Sequence, residues 1–335
     1  MQETIRPAFP LQWQPLVDQA ATALRRLALD ERAKEKFCGD PVLRSFMHRI
    51  SGRYVAGQTV AQVLGRVANI NAMGHAASAE YMGESCRDEA HAIAETEVFI
   101  ELVAAVGARG LNCSISFDLS HVGMVVDPEL GYRNARRIAQ AAGRIGSEVM
   151  ISMEGSDRAD DIYAIYSRLH TDDGLDHVGI TMPAKLHRSA VDLPKLMDHP
   201  GRIRLVKGAF LEAEDVAYDR NSAQLGVNYR HYAQTLLRSG HTCSIATHDR
   251  AIQTELCELV GLEKINPDVY EFESLMGLGT EQLSEIHARG YPTREYVVFG
   301  NEHFLYVLNR MSEEPIRVYQ ALVDLLTPAD VRQDP

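Results

Sequence analysis

The spacing of hydrophobic positions changes at about residue 75, and this change divides the chain into two parts. Before it, apolar residues recur every three to four positions, as at Leu16, Ala20 and Leu24, which is the spacing of an amphipathic helix. Thr59 stands where the cap of a further helix belongs. Because no strand–helix alternation occurs in this part, we predict a helical N-terminal arm over residues 1–75.

From about residue 76 the pattern alternates between short β-prone runs and helical periods. One predicted helix is capped by Asp249 and ends at Gly261, and another follows Asp127 and ends before Gly146. Eight strands alternating with helices over about 240 residues predict an α/β fold, a (β/α)8 TIM barrel over residues 76–335. The predicted strands are Ser78–Met82, Cys113–Leu119, Val149–Met153, Val178–Met182, Ile203–Lys207, Cys243–Thr247, Tyr270–Ser274 and Glu295–Val298.

An open, doubly wound sheet is the alternative fold. Such a sheet normally carries GxGxxG after its first strand, and the sequence has no such motif and no GxxxxGK[ST] motif either. The barrel is therefore favoured.

Composition narrows the class of protein. The 335 residues are 45% hydrophobic and 24% charged, and there is neither an apolar run of about 18 residues nor a signal-peptide pattern at the start. The five cysteines are scattered, which suits a reducing compartment, and the net charge of −12 disfavours nucleic acid as a partner. We therefore predict a cytoplasmic protein without a transmembrane segment. No His or Cys spacing typical of a metal site occurs, so no metal is predicted.

A cationic stretch ends the fifth predicted strand, where Arg204 and Lys207 precede Gly208. Active-site residues of barrels lie at the carboxyl ends of strands, and glycine lets the backbone approach a ligand. The stretch therefore suggests the floor of an anion or cofactor site. Two surface cations on an ordinary strand are the alternative.

Two later strands also end in polar residues. Thr247 and His248 join a strand to a helix, where they suit a phosphate or flavin. Taken alone, however, the pattern favours the simpler explanation that Thr247 and Asp249 cap the helix. Glu271 and Glu273 share one face of a strand, and two such carboxylates repel each other unless they hold a cation, a ligand or a shared proton.

A polar stripe marks the last helix, in which Tyr306, Asn309, Arg310 and Glu313 fall on one face. A solvated surface helix is the ordinary explanation of such a stripe. Together with the cationic strand and the Thr–His turn, however, it suits a barrel whose cofactor carries the chemistry.

Five ordered motifs give the chain a specific resemblance. RLVKGAF, ATHD, YEFESLMG, REYVVFG and the closing YxxNRxxE resemble proline dehydrogenase, the flavin-dependent barrel enzyme that oxidises proline to pyrroline-5-carboxylate, and the match runs from about Arg53 to Pro315. The resemblance implies a distorted (β/α)8 TIM barrel, with FAD at the carboxyl ends of the strands and a final helix over the substrate. It also implies a small amine or amino-acid-derived substrate and a quinone or oxygen as electron acceptor.

The resemblance assigns roles to individual residues. Arg204 would donate a hydrogen bond to flavin N5, and Arg310 would meet the substrate from the final helix. The other residues implied for the cofactor are Met153, Val206, Lys207, Gly208, Ala209, Thr247, His248, Glu271 and Glu273. Those implied for the substrate pocket are Leu275, Tyr296, Tyr306 and Glu313.

Three positions depart from the family pattern near the substrate. Asp118 stands in place of lysine, Ser152 in place of aspartate and Asn309 in place of the first arginine of a pair. The pocket thereby becomes more negative by two charges, which disfavours a carboxylate. Asp118 would accept a hydrogen bond from a substrate nitrogen or pair with Arg204 or Arg310.

Glutamine is usual at Pro183 and Glu273, and tyrosine at Phe210. We therefore predict an FAD-dependent oxidoreductase that acts on a C–N or N–N bond of an amine, imino acid or hydrazine-type substrate other than free proline, in specialised biosynthesis. Ordinary proline dehydrogenase is the main alternative. A non-catalytic flavin-binding relative and a phosphate-binding barrel lyase or aldolase are further ones.

Overall fold

A computed structural model of the chain describes residues 11–83, 86–313 and 316–327. Eight parallel strands form a closed barrel in sequence order, because β1 pairs with β8 as well as with β2. The predicted barrel is confirmed, and the open sheet is excluded by this closure. The strands are β1 (Ala76–Tyr81), β2 (Cys113–Phe117), β3 (Val149–Ile151), β4 (Val178–Pro183), β5 (Ile203–Val206), β6 (Cys243–Ala246), β7 (Tyr270–Leu275) and β8 (Thr293–Phe299).

Helices precede the barrel, alternate with its strands and follow them. Those before β1 are α1 (Gln14–Ala28), α2 (Glu31–Gly39), α3 (Pro41–Ser51) and α4 (Val60–Ala72). Those between strands are α5 (Glu89–Arg109), α6 (Pro128–Arg144), α7 (Ala159–Thr171), α8 (Ser189–Leu196), α9 (Ala223–Ser239), α10 (Arg250–Glu263) and α11 (Thr280–Ala288). Those after β8 are α12 (Phe304–Glu313) and α13 (Ile316–Leu326).

Side-chain caps fix where the helices begin. Thr59 and Gln62 form a reciprocal capping box at the start of α4, and the Asp249 carboxylate accepts two backbone N–H groups at the start of α10. The predicted end of α10 at Gly261 is wrong. The helix continues to Glu263 because the residue in the left-handed conformation is Lys264, with φ of 52°.

The barrel has an apolar outside and a polar inside. Phe117, Phe272 and Phe299 are fully buried between the strands and the surrounding helices. The inward positions carry paired charges instead of the branched apolar residues that usually fill such barrels. Arg204 and Glu273 lie nearer the carboxyl end of the barrel, and Arg294 and Glu271 lie below them.

The helices outside the barrel pack on each other at its carboxyl end. Phe37 of α2 contacts Phe304 of α12 with ring centroids 5.6 Å apart, and Arg53 binds Asp324 of α13 through two nitrogens at 2.8 and 2.9 Å. In the same cluster α12 packs against Val298, at the end of β8. This packing holds α12 at the mouth of the barrel, whereas the division at residue 75 stays a prediction. No helix in the described ranges is long and apolar enough to cross a membrane.

Candidate active site

Arg204 of β5 is fixed inside the barrel, toward its mouth, by side chains of three strands across the barrel. Its Nε donates to Glu273 at 3.0 Å, Nη1 to Ser116 Oγ at 3.1 Å, and Nη2 to Ser78 Oγ at 2.9 Å. The guanidinium also lies 4.9 Å from the ring centroid of Tyr296, and the residue is only 4% exposed. Because all three guanidinium nitrogens are bound, the position and orientation of this buried cation are fixed.

The second glutamate of β7 belongs to a different layer. Glu271 accepts bonds from Ser244 at 2.5 Å and from Arg294 at 2.7 Å, and Arg202 lies 3.7 Å away. Burial alone would raise the pKa of Glu271, but Arg294 and Arg202 hold that pKa at about 2. Each of the two strand glutamates therefore holds its own arginine, which resolves the predicted repulsion. Glu271 points toward the amino-terminal half of the barrel, away from the strand ends where the sequence located it.

A buried carboxylate that sequence reasoning missed lies at the mouth of the barrel. Glu80 accepts hydrogen bonds from Tyr296 Oη and from Ser152 Oγ, the latter at 2.8 Å. Ser152 Oγ is also 3.1 Å from Ser116 Oγ, which in turn contacts Arg204. The available signal was the alternation of Ser78 with Glu80, which puts a carboxylate on the inward face of β1.

Asp118 follows the last residue of β2 and lies on the same rim. Its Oδ2 is 3.9 Å from His121 Nε2, and within the described ranges it pairs with neither Arg204 nor Arg310. Burial, Glu80 and Glu154 raise the pKa of Asp118 well above its ordinary value. The two arginine pairings that the sequence left open are therefore not formed.

The end of β5 carries the predicted cationic stretch. Lys207 Nζ donates to Asp249 at 2.8 Å, while Gly208 has φ of 107°, a conformation that favours glycine. Lys185 is buried beneath Gly208 and donates to the Phe210 carbonyl at 2.6 Å, and burial lowers the pKa of this ammonium. The other stretch residues are Val206, which is half-buried, and Ala209, which is exposed.

The Thr–His turn after β6 is built into the local backbone. Thr247 Oγ accepts the Asp249 N–H at 3.2 Å, and His248 Nε2 accepts the Leu275 N–H at 3.1 Å. Burial and the charge of Arg317 lower the pKa of His248 to about 4, so the imidazole is neutral at pH 7. Met153, at the end of β3, is buried. Asp249 is thus the N-cap of α10, and Thr247 accepts a hydrogen bond within the preceding turn. The Thr247 hydroxyl is buried beside the carboxyl ends of the strands.

The inward face of α12 carries the other predicted residues. Arg310 binds Glu313 at 2.7 Å and lies 5.3 Å from the ring centroid of Tyr306. Its Nε is buried and has no hydrogen-bond partner among the described residues. Asn309 is half-buried on the same helix, and burial raises the pKa of Tyr306 to about 12. The stripe is thus a partly buried ion-paired face with one free donor, not a solvated surface.

The amino-terminal end of the barrel has a cavity of its own. It measures about 640 Å³ and is lined by Ser114, Glu148, Arg202 and Arg294, among others. Both arginines already bind glutamates. The cavity lies at the opposite end of the barrel from the carboxyl ends of the strands, where the candidate site is. Among the described residues no cluster of three or more His, Cys, Asp or Glu side chains can hold a metal ion.

Comparisons with known proteins identify the family. The family model described as proline dehydrogenase matches residues 63–314. The chain is 31% identical over 279 residues to a proline dehydrogenase of Deinococcus radiodurans and 30% identical over 275 residues to proline dehydrogenase 1 of Bacillus subtilis, in each case covering 82% of this chain and 90% of the relative.

A solved structure shows the same fold. The structure of proline utilization A from Bdellovibrio bacteriovorus, inactivated by N-propargylglycine, superposes with a TM-score of 0.76 at 18% identity. It covers 96% of this chain, which spans only 40% of that longer one. The resemblance inferred from the five motifs is confirmed, and the chain belongs to the proline dehydrogenase family.

Proposed function

We propose that this chain is an FAD-dependent dehydrogenase that oxidises the C–N bond of a proline-type secondary amine. The observation that carries the proposal is Arg204, a buried guanidinium held by Glu273, Ser78 and Ser116 at the mouth of a barrel of this family. A fixed positive charge is what stabilises negative charge that develops on a hydride acceptor.

The residues present fit FAD. Gly208 exposes backbone at the end of β5 beside Lys207, and Thr181 of β4 has a buried hydroxyl with no partner in the described ranges. Arg204, Val206, Lys207, Gly208 and Ala209 would hold the flavin on one side of the mouth, with Met153, Thr247 and His248 further along. When bound, FAD supplies the hydride acceptor.

The remaining residues orient the substrate and exclude water. Glu273 keeps Arg204 in place, and water does not compete for this ion pair because both side chains are buried. The Arg310 Nε donor suits an oxygen of the substrate, and Glu313 together with Tyr306 fixes the guanidinium. Helix α12, with Tyr296 and Leu275 beneath it, would close the site during the reaction.

The comparisons favour free proline as the substrate. The relatives from Deinococcus and Bacillus carry the name proline dehydrogenase and match most of this chain. This supports the alternative of the sequence analysis, ordinary proline oxidation, better than its main prediction of a different amine.

A second candidate is an amine whose carboxylate is absent or masked, or a hydrazine-type N–N bond. The observation in its favour is the charge of the mouth, because Glu80 and Asp118 form no ion pair with Arg or Lys in the described residues. A substrate carboxylate next to them would be repelled, whereas an ammonium would be attracted.

One anaerobic experiment tests both candidates. The purified protein is titrated with FAD and then mixed with L-proline, L-prolinamide, pyrrolidine or a substituted hydrazine while the oxidised flavin band is followed. We expect bound flavin and bleaching by at least one amine, and re-oxidation with a quinone or oxygen identifies the acceptor. A protein that takes up no FAD, or flavin that no amine reduces, would refute the proposal.

A further inference from the structure

We propose that Asp118 accepts the proton that the substrate nitrogen must lose before the hydride leaves, and that His121 receives this proton from Asp118. The inference rests on the proposed function, since it concerns the same site and the same amine. It adds a catalytic residue, because neither the family resemblance nor the comparisons assign a proton acceptor to this position.

The reaction itself requires such a step. A secondary amine is protonated at neutral pH, and an ammonium nitrogen has no lone pair with which to form a C=N bond. In balance, the ammonium N–H bond breaks and an O–H bond forms on Asp118. The adjacent C–H bond then breaks, its hydrogen and electron pair pass to the flavin as hydride, and the nitrogen lone pair forms the C=N bond. The substrate is oxidised and the flavin reduced.

Position along β2 directs Asp118 toward the reacting groups. Ser116 faces the barrel interior, where it contacts Arg204 at 3.1 Å. Asp118 is two residues further and its backbone is extended, with φ of −83° and ψ of 135°, so its side chain lies on the same inward side, one step nearer the mouth. Its carboxylate does not cap the 3-10 turn Leu119–Val122 that follows.

The other carboxylates at the mouth are already occupied. Glu80 accepts hydroxyl bonds from Tyr296 and Ser152, and Glu154 binds Arg158 and the Ser120 N–H. Glu273 holds Arg204, and Glu313 holds Arg310 and Arg317. Within the part of the chain that the structure describes, Asp118 is thus the acid at the mouth that accepts no hydrogen bond, and its side chain is 24% exposed.

His121 completes the route. Its Nε2 faces Asp118, and its Nδ1 is buried without a partner in the described residues. Burial and nearby carboxylates raise the pKa of Asp118, while burial lowers the pKa of His121. Burial thus favours the neutral form of each group, so the ionised Asp118 carboxylate is a stronger base than an exposed one. The groups that face this pair are Glu80 on β1, His91 on α5, Glu154 and Arg158 after β3, and Tyr296 on β8.

The proposal is tested with Asp118→Asn, which keeps the shape but cannot accept the proton, and with Asp118→Glu, which restores a carboxylate. Asp161→Asn on the exposed face of α7 is the matched control for the charge change. Flavin reduction by L-proline and by pyrrolidine is followed by anaerobic stopped flow from pH 6 to 10. We expect the rate of flavin reduction by Asp118→Asn to be at least tenfold below wild type at pH 7. The deficit should shrink toward pH 10, as a growing fraction of the substrate amine is already neutral in solution. Asp118→Glu and the control should keep most of the rate.

A second measurement does not depend on turnover. In protein labelled with ¹³C at the aspartate carboxyl carbon, the resonance absent from Asp118→Asn should titrate above the ordinary value of 3.8. A wild-type pH profile in a folded Asp118→Asn, or an ordinary titration, overturns the role of Asp118 while leaving the proposed function intact. Flavin that no amine reduces overturns the proposed function and this inference with it.

Discussion

At the scale of single residues, the site contains buried ion pairs in which each charge compensates the other. Arg204 and Glu273 are both buried and lie 2.9 Å apart at their nearest atoms. Removing one member of a buried pair leaves an uncompensated charge, which costs about 3–5 kcal/mol, whereas replacing both by apolar residues is often nearly neutral. The proposed role of Arg204 in catalysis therefore has to be separated from its contribution to stability.

Arg204→Met and the double variant Arg204→Met/Glu273→Met separate them. We expect the single variant to be destabilised by about 3–5 kcal/mol and the double variant to regain most of this stability, because no charge is then left buried alone. Both should reduce flavin slowly, since both lack the guanidinium. Denaturant unfolding and anaerobic flavin reduction measure the two effects, and a fast double variant would remove Arg204 from the chemistry.

Arg310 offers a second test at this scale. Its unpartnered Nε suits a planar contact with a substrate oxygen, which lysine cannot reproduce. Loss of a charge-assisted hydrogen bond costs roughly 1.5–3 kcal/mol, so Arg310→Lys should raise KM about tenfold or more while kcat changes less. Steady-state kinetics with the amine that bleaches the flavin provide the measurement. An unchanged KM would put Arg310 outside the substrate contact.

At the scale of elements, the period of the sequence predicted all eight strands, with ends that differ from the observed ones by at most two residues. Alternation also predicted correctly that Glu271 and Glu273 share one face of a strand, and the structure shows that this face points inward. It did not predict that they lie in different layers, because depth inside a barrel depends on the register between strands. That register pairs Glu271 with Ser244 and Glu273 with Arg294.

Contacts between elements that are distant in the sequence could not be predicted either. The bond between Ser152 and Glu80 joins β3 to β1, and nothing in the local sequence of either strand specifies it. The substitutions at Asp118, Ser152 and Asn309 were visible as departures from the family motifs. Their meaning became clear only when the fold brought Glu80 to the same mouth.

The lower ionic layer gives a prediction about pH. The pKa of Glu271 is about 2 in the folded protein against an ordinary value of 4.5, so its ionised form stabilises the fold. This contribution is complete above about pH 4.5 and is lost as the pH falls toward 2. Glu271→Gln should therefore be far less stable than wild type at pH 7, and the difference should shrink below pH 4.5.

Thermal unfolding of both proteins between pH 7 and pH 3 measures this trend. Glu285→Gln on the exposed face of α11, whose partner Arg250 is also exposed, is the control and should change stability little at any pH. A stability difference for Glu271→Gln that stays constant as the pH falls would mean that the carboxylate does not act through its charge.

At the scale of the whole molecule, the barrel follows the family, and the residues proposed for the flavin keep the family motifs better than those proposed for the substrate. Arg204, Lys207 and Gly208 keep the motif at the end of β5, and α12 keeps Tyr306 and Arg310. The altered positions follow β2, follow β3 and lie on α12, which are far apart in the chain and all border the mouth of the barrel. We expect such a distribution to change what the mouth binds without changing what holds the fold.

The triple variant Asp118→Lys/Ser152→Asp/Asn309→Arg tests whether this rim decides the substrate. It returns the charges that the family has at these positions. In the wild type, a substrate carboxylate about 4 Å from an ionised Asp118 is repelled by roughly 4 kcal/mol at an effective dielectric near 20, and Asp118→Lys removes this repulsion. We expect the Kd for proline, obtained from the concentration dependence of anaerobic flavin reduction, to fall at least tenfold, while that for prolinamide stays the same or rises. Binding is the readout because Asp118→Lys also removes the proposed proton acceptor and so changes the rate of reduction. The three positions share one rim and are expected to couple, so single variants should give less than their sum. If proline gains nothing, the wild-type mouth already accommodates a carboxylate through Arg310, and free proline is then the better assignment.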